Sequence, residues 1–515
     1  MMAQGVLGFQ YEGSETGGAT ALAGLPLYFE LGVVAGLVDS IQARLKVRAQ
    51  GWSDVAVVMS LILLQLAGGE SVDDIGKLQA DEGFQRLMVE VLSQAFPRKE
   101  RRRAIRQWRK ERRKGKEAAF PSPSSILRYL SAFHDPEQDK RREEALAAGV
   151  KAFIPAENEH LRAISEINKD LLSWNQRRSP QKRATLDMDA TLIEVAKSAA
   201  LFCYKHFRAY QPLNVYWFEQ DQVVYSQFRD GNVPAGYRQL PVLKYALELL
   251  PEGVDEVFLR TDTAGYEWDL LRYCAEGNNE RFGVIPFCVG VDVTPEFKKA
   301  VAQVPSSEWK PLLRKIDGME IDTGQQYAEV CFVPNAAATK KHGPQYRFLA
   351  IREPLAQLEI PGVENQGELP FPTMDFQQSG RHKLFGAVTN LDWSGDEVIW
   401  WHRQRCGKSE EVHSVMKSDL AGGKLPSGQF GANAAWWGIM LLALNLNSIM
   451  KRLVLGEGWA NKRIKAVRFW LINLPGRVVR HARRLIIRLS ASHPALTLLE
   501  RIRTRILALV PEPGG

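Results

Sequence analysis

No CxxC pair and no basic start leading into an apolar leader stand out in this 515-residue sequence. Its five cysteines, Cys203, Cys274, Cys288, Cys331 and Cys406, form an odd and dispersed set. That argues against a disulfide framework and a cysteine-built zinc site, and it predicts a reducing, cytoplasmic setting. The opening MMAQGVLGFQYEGSETGG does not read as a secretory signal, because no charged start precedes an apolar core. Two apolar stretches come nearest to membrane spans, 54–69 and 434–450. The first falls short of the roughly 20 residues a bilayer requires, and the second carries Asn445 and Asn447, so both are expected as buried helices, with no membrane partner. Internal repeats and low-complexity segments are also missing, which leaves an ordinary globular chain of about three structural units.

What is present in excess is positive charge. Lys and Arg number 67 against 59 Asp and Glu, a net charge of +8, and the isoelectric point is about 9.1. A basic chain of ordinary composition, 45% hydrophobic and 24% charged, favours a polyanionic partner, and nucleic acid leads. The excess is concentrated in PRKERRRAIRQWRKERRKGK, 97–116, and in the tail from Lys451 to Arg505. These are the expected DNA-facing regions.

Hydrophobic spacing divides the chain. Residues 1–180 read as a mainly helical DNA-binding region: the apolar period of three and four runs from Leu25 to about Phe96, stops at Gly68 and Gly69, and restarts at a capped GluSerValAspAsp. SPSSILRYLSAF, 122–133, predicts an amphipathic helix with Ser and Pro at its start and Arg128 on it, fit either for a DNA groove or for packing. Between 181 and 290, short runs such as ATLDMDATLIEVA, VVYSQFRDG and VDEVFLRTD predict strands, with a helix over 240–253, and so an α/β core with a mixed sheet. Residues 291–392 read as an inserted β-rich region, 393–450 as the returning helical part of the core, and 451–515 as a basic helical tail.

In LDMDATLIE, Leu186, Met188, Ala190 and Leu192 alternate toward the core, which puts Asp187 and Asp189 on the other face as possible metal ligands. Asp262 ends the strand VDEVFLRTD with Gly265 placed for a turn, so its carboxylate projects from a strand's carboxyl end, where open α/β sheets put their ligands. Glu410 and Lys417 are seven residues apart, two helical turns, and share a face with His413 and Ser414. Three carboxylates from distant parts of the chain suit two divalent ions about 3.5–4 Å apart acting on a phosphodiester. His402 and His413 lack a cysteine partner at zinc spacing and are expected as contacts or packing groups.

The strings DATLIE, FRDGNVPAG (228–236), LRTDTAGY (259–266), WHRQRCGKSEEVHSVMKSDL, LPSGQFGANAAWW (425–437) and LPGRVVRHARR (474–484) together resemble the 1380 family of bacterial insertion-sequence transposases, over roughly Leu25 to Leu489. The resemblance implies a ribonuclease-H-like catalytic core with an inserted β-rich domain, preceded by a helical DNA-binding domain. It selects Asp189 over Asp187, since a small residue and Thr follow the first Asp of the superfamily. It implies that Asp189, Asp262 and Glu410 are catalytic and bind two Mg²⁺ ions, with Mn²⁺ able to substitute. In the superfamily's last motif an aromatic and an Arg precede the Glu, and a Lys follows it after six residues. Here the Lys spacing is kept, while Arg405 lies one residue too far from Glu410 and Arg403 competes with it for the phosphate. Trp309 is the candidate for stacking a flipped base. The implied partners are double-stranded DNA, as terminal inverted repeats and target, and a second copy in an active homodimer, in the nucleoid-associated bacterial cytoplasm. The reaction implied is cleavage and strand transfer; a decayed DNA-binding protein and a simple metal-dependent nuclease are the alternatives.

Overall fold

The structure, a computed structural model, describes residues 17–92, 102, 106, 119–334, 346–355, 371–376, 379–481 and 484–510. The basic run 97–116 therefore lies outside the described residues, Arg102 and Arg106 excepted. The chain forms two compact units, one from 1–135, 157–171 and 415–515, the other from 136–156 and 172–414.

The first unit is mainly helical. Its central helix, Phe430–Ile449, is buried on almost every side and packs against the helices Asp54–Ala67 and Pro123–Ser131. The stretch Phe430–Leu455 is apolar and long enough to cross a membrane, yet 83% of that window is buried inside the protein. Its two asparagines find partners there: Asn447 accepts from the Tyr28 hydroxyl at 2.7 Å, and Asn445 donates to Asn168 at 2.7 Å. Buried amides satisfied in this way cost little, which is what a core helix needs. Asp54–Ala67 starts where the Ser53 hydroxyl accepts from the Ala56 amide and ends at Gly68. Pro123–Ser131 is capped by Ser122 and amphipathic as the sequence predicts, burying Ile126, Tyr129 and Leu130 with Arg128 outside.

The tail is not helical throughout. Strand β1 (Ala19–Thr20) pairs antiparallel with β15 (Gly476–His481), which pairs in turn with β16 (Arg484–Arg488), before a last helix, Leu496–Ala508. Val478 lies opposite Ile487 and Val479 opposite Ile486. Stiff β-branched side chains in cross-strand pairs, entered through Pro475 and Gly476, favour a ladder over the helix expected there.

The second unit is built on a ten-stranded mixed sheet. Its strands are β2 (Arg183–Ala190), β6 (Leu213–Trp217), β7 (Gln222–Gln227), β8 (Glu256–Thr261), β9 (Phe287–Val291), β10 (Lys310–Ile316), β11 (Met319–Val330), β12 (Arg347–Pro354), β13 (Thr373–Phe376) and β14 (Gly380–Thr389). The order is β10-β11-β12-β14-β9-β8-β2-β6-β7, with β13 on β14. Strands β2, β8 and β9 run parallel to one another, and the other pairings are antiparallel. A small sheet of β3 (Ile193–Glu194), β4 (Leu201–Phe202) and β5 (Arg208–Tyr210) sits beside it in sequence. The described residues of 291–392 hold strands β10 to β14, and these continue the core sheet: β14 pairs along β9 and so covers an edge that would otherwise be open.

Both faces of this sheet are covered. On one, Leu186, Met188, Val257 and Leu259 pack with the helices Gln239–Leu249 and Trp268–Ala275. On the other, Phe258, Cys288, Leu349 and Ala387 pack with Val398, Ile399, Trp400 and Trp401 of the helix Gly395–Arg403. Because side chains alternate along a strand, Asp187 and Asp189 of β2 and Arg260 of β8 belong to this second face.

Candidate active site

Asp189 and Asp262 are brought side by side by strand register. Across the parallel β2–β8 ladder Met188 lies opposite Thr261, so the next residue of each strand is an aspartate at its carboxyl end. Asp262 also accepts from the Ala264 amide at 3.1 Å, closing the turn that follows. A Cβ at Gly265 would lie 1.9 Å from the Thr261 hydroxyl, so the tight turn after Asp262 requires glycine. The FRDGNVPAG loop abuts the same turn: a Cβ at Gly236 would meet the Ala264 carbonyl oxygen at 2.6 Å. Burial, reinforced by the charge of Asp262, pushes the Asp189 carboxyl up to about 7, while Arg405 pulls it down. A partly buried carboxylate with a second one beside it is a place where a cation is favoured.

Arg405 is the arginine at this pair. It is 8% exposed, its Nη2 lies 3.4 Å from Asp189 Oδ2, and its Nε is without a hydrogen-bond partner among the described residues. Arg403, its competitor, is half-buried with its guanidinium 5.2 Å from the Trp400 ring. Asp187 is excluded as a free ligand. It is 1% exposed and holds Arg260 in a two-pronged ion pair at 2.7 and 2.9 Å, and Arg260 also donates to the Trp401 carbonyl at 2.7 Å.

The other residues expected at the site are placed as follows. Glu410 is exposed on the helix Lys408–Ser414. Among the described residues no group of three His, Cys, Asp or Glu side chains converges to hold a metal. Lys417 falls in the other unit, where the α period gives way to a π turn over Val415–Asp419. Trp309 is packed at 7% exposure, with the Arg352 guanidinium 4.1 Å above its ring and Phe376 edge-on at 5.6 Å. Stacking a base on it would require Arg352 to leave.

Other polar groups complete the surroundings. His402 lies 2.8 Å from the Thr261 carbonyl through Nε2, and burial lowers its pKa to about 4, so it is a neutral donor tying its helix to β8. Asn214, opposite Asp189 on β6, contacts His413 at 3.2 Å and receives the Ser226 hydroxyl at 2.7 Å. Lys408 pairs with Asp221 at 3.0 Å. The buried Arg260 also had a sequence signal: a charged residue inside an apolar strand needs a buried partner, and Asp187 is the acid opposite it on β2.

Fold and site thus define a mixed α/β protein with paired carboxylates at the ends of adjacent parallel strands and a buried arginine against them. The chain belongs to the family described as transposase DDE domain group 1, whose model matches residues 12–339 and 370–511. No curated protein matches it. Among solved structures it is similar to a piggyBac transposase synaptic complex with hairpin DNA, determined by cryo-EM. Identity there is 11%, coverage is 97% of this chain and 88% of that one, and the TM-score is 0.40, too loose a likeness to carry residue roles across.

Proposed function

We propose that this chain is the transposase of a bacterial insertion sequence of the 1380 family, which binds the terminal inverted repeats of its element and cuts and rejoins DNA in the presence of divalent metal. The observation that carries the reading is the register-fixed pair Asp189 and Asp262, on one face of a mixed sheet in a member of a DDE transposase family. Three antiparallel strands flanked by two parallel ones, with an aspartate at the end of the first and just after the fourth, support a ribonuclease-H-like core. The N-terminal helices would serve DNA binding, and the active complex would be a homodimer in the cytoplasm.

Asp189 and Asp262 fit a hard divalent cation through their oxygen donors and mutual repulsion, so Mg²⁺ or Mn²⁺, as one ion or two, belongs there. When bound, such ions activate a water or a 3′-hydroxyl and stabilise the leaving oxygen. Glu410 would complete the set on binding of DNA and metal. Its helix already reaches the site through His413, one turn on from Glu410, which touches the Asn214 opposite Asp189. Arg405 would grip the backbone phosphate with its guanidinium fork, and by the family resemblance Lys417 would offer its ammonium to phosphate. The strand-transfer nucleophile is a DNA 3′-hydroxyl, so no covalent bond to the protein forms.

The test is purified protein with labelled DNA carrying the element's ends and Mg²⁺, set against Glu410→Ala, Asp262→Ala and an EDTA control. Metal-dependent nicking and joining, lost in both variants with end binding kept, is the expected result. Strand cleavage retained by Asp262→Ala would overturn the site. The exposure of Glu410 favours one competing reading, a DNA-binding protein that no longer cuts, and binding without cleavage even in Mn²⁺ would establish it.

A further inference from the structure

In the first unit, two large aromatic side chains stand in solvent next to each other: Phe469 is 71% and Trp470 57% exposed, their rings edge to face with centroids 5.3 Å apart. The backbone that bears them is fixed. They lie in a π turn, Arg468–Ile472, whose Leu471 and Ile472 are buried. Arg468 anchors the turn by donating to the carbonyls of Leu66 at 2.7 Å, Gln65 at 2.6 Å and Asp419 at 2.5 Å. An exposed pair of this size on an anchored turn has no packing role among the described residues, and exposed aromatic surface beside charge marks a contact site.

The surroundings select the partner. Residues 450–488 hold eleven Lys and Arg against a single acid, Glu457. The nearby Asp419 is buried and already paired with Arg463 at 2.9 Å and Lys465 at 3.2 Å. Lys462 is exposed over the Trp459 ring. A symmetric contact between two copies would set two such cationic segments against each other, whereas a nucleic acid matches both features, phosphates to the cations and base faces to the rings.

We propose that Phe469 and Trp470 form a stacking wedge for unpaired or unstacked bases of DNA held along the basic tail. The inference rests on the reading of the chain as a DNA-processing protein and adds a preference for distorted over regular duplex. Rings stack on exposed base faces, and in a paired helix those faces are covered by their neighbours.

The test uses the full chain and two fluorescent duplexes of one sequence, one fully paired and one with a bulged 2-aminopurine. Wild type is expected to prefer the bulged duplex by about tenfold and to quench the probe, in keeping with the strength of base–aromatic stacking. Phe469→Ala/Trp470→Ala is expected to lose the preference and the quenching, with paired-duplex affinity within about twofold of wild type, and Trp470→Tyr to keep most of both. A wild type that binds both duplexes equally, or a double variant that keeps the preference, overturns the wedge and leaves the transposase reading standing. Wild type that binds neither duplex fails the transposase reading itself. If the double variant instead loses a dimer seen by light scattering, or loses binding to phosphatidylserine vesicles, with its DNA behaviour unchanged, the pair serves another partner and the proposal falls.

Discussion

Asp189 carries a cost that its neighbours make measurable. Its carboxyl is raised to about 7 by burial and by Asp262. A raised carboxyl means the folded state takes up a proton more readily than the unfolded one, so the associated stability is full below the usual carboxylate range and is lost as pH rises through about 7. Metal-free protein is therefore expected to melt several degrees lower at pH 8 than at pH 5.5. Asp189→Asn should flatten that slope and raise the melting temperature at pH 8, and Mg²⁺ at pH 8 should stabilise wild type but not the variant. A melting profile for Asp189→Asn that still falls with the wild-type slope would show that the repulsion lies elsewhere. Arg405 limits the effect, since its guanidinium already offsets part of the charge on Asp189.

Strands β2 and β8 are joined by more than their ladder. The pair Asp187–Arg260 crosses between them in full burial, with Arg260 4.6 Å from the Phe218 ring and 5.2 Å from that of Trp401. Arg260→Met strands a buried carboxylate and is expected to cost about 3–5 kcal/mol in denaturant unfolding, while Asp187→Leu/Arg260→Met together should recover most of that loss. Equal destabilisation in the single and double variants would mean that packing, not the unpaired charge, sets the cost. The same elements show what a sequence exposes and what it hides. Alternation in LDMDATLIE put Asp187 and Asp189 on one face and the turn after LRTD put Asp262 at a strand's end, because strand period and Gly265 are local properties; choosing Asp189 over Asp187 took the family resemblance. Which arginine meets Asp189 was not legible: Arg403 and Arg405 differ by two residues near a helix end, and tertiary packing decides between them. The tail hairpin was missed for a related reason, since Val478, Val479, Ile486 and Ile487 gain their preference only when the two strands face each other. Strand patterns such as YAEVCFVP and YRFLAIREP are local, whereas the continuation of the core sheet depends on β14 finding β9, a pairing of distant segments.

Across the whole molecule the net charge of +8 understates the field that a polyanion would meet, because eleven cations against one acid fall within 450–488. If this segment lies on DNA, binding is driven largely by counterion release, and log K falls linearly with log salt by about 0.9 for each phosphate contacted. Exposed cations then contribute separately to the slope. Lys462 and Arg488 are both exposed and stand on different elements of the tail, one ahead of the π turn and the other closing β16. Replacing both with alanine is expected to shallow the salt slope by about two without altering discrimination between sequences, since phosphate contacts carry no base information. The titration would be fluorescence anisotropy on one duplex across a range of potassium chloride, with Asp262→Ala as a control that keeps the wild-type slope. A slope unchanged in Lys462→Ala/Arg488→Ala would place the DNA on another face, and the segment's charge would then have to be assigned to a different partner.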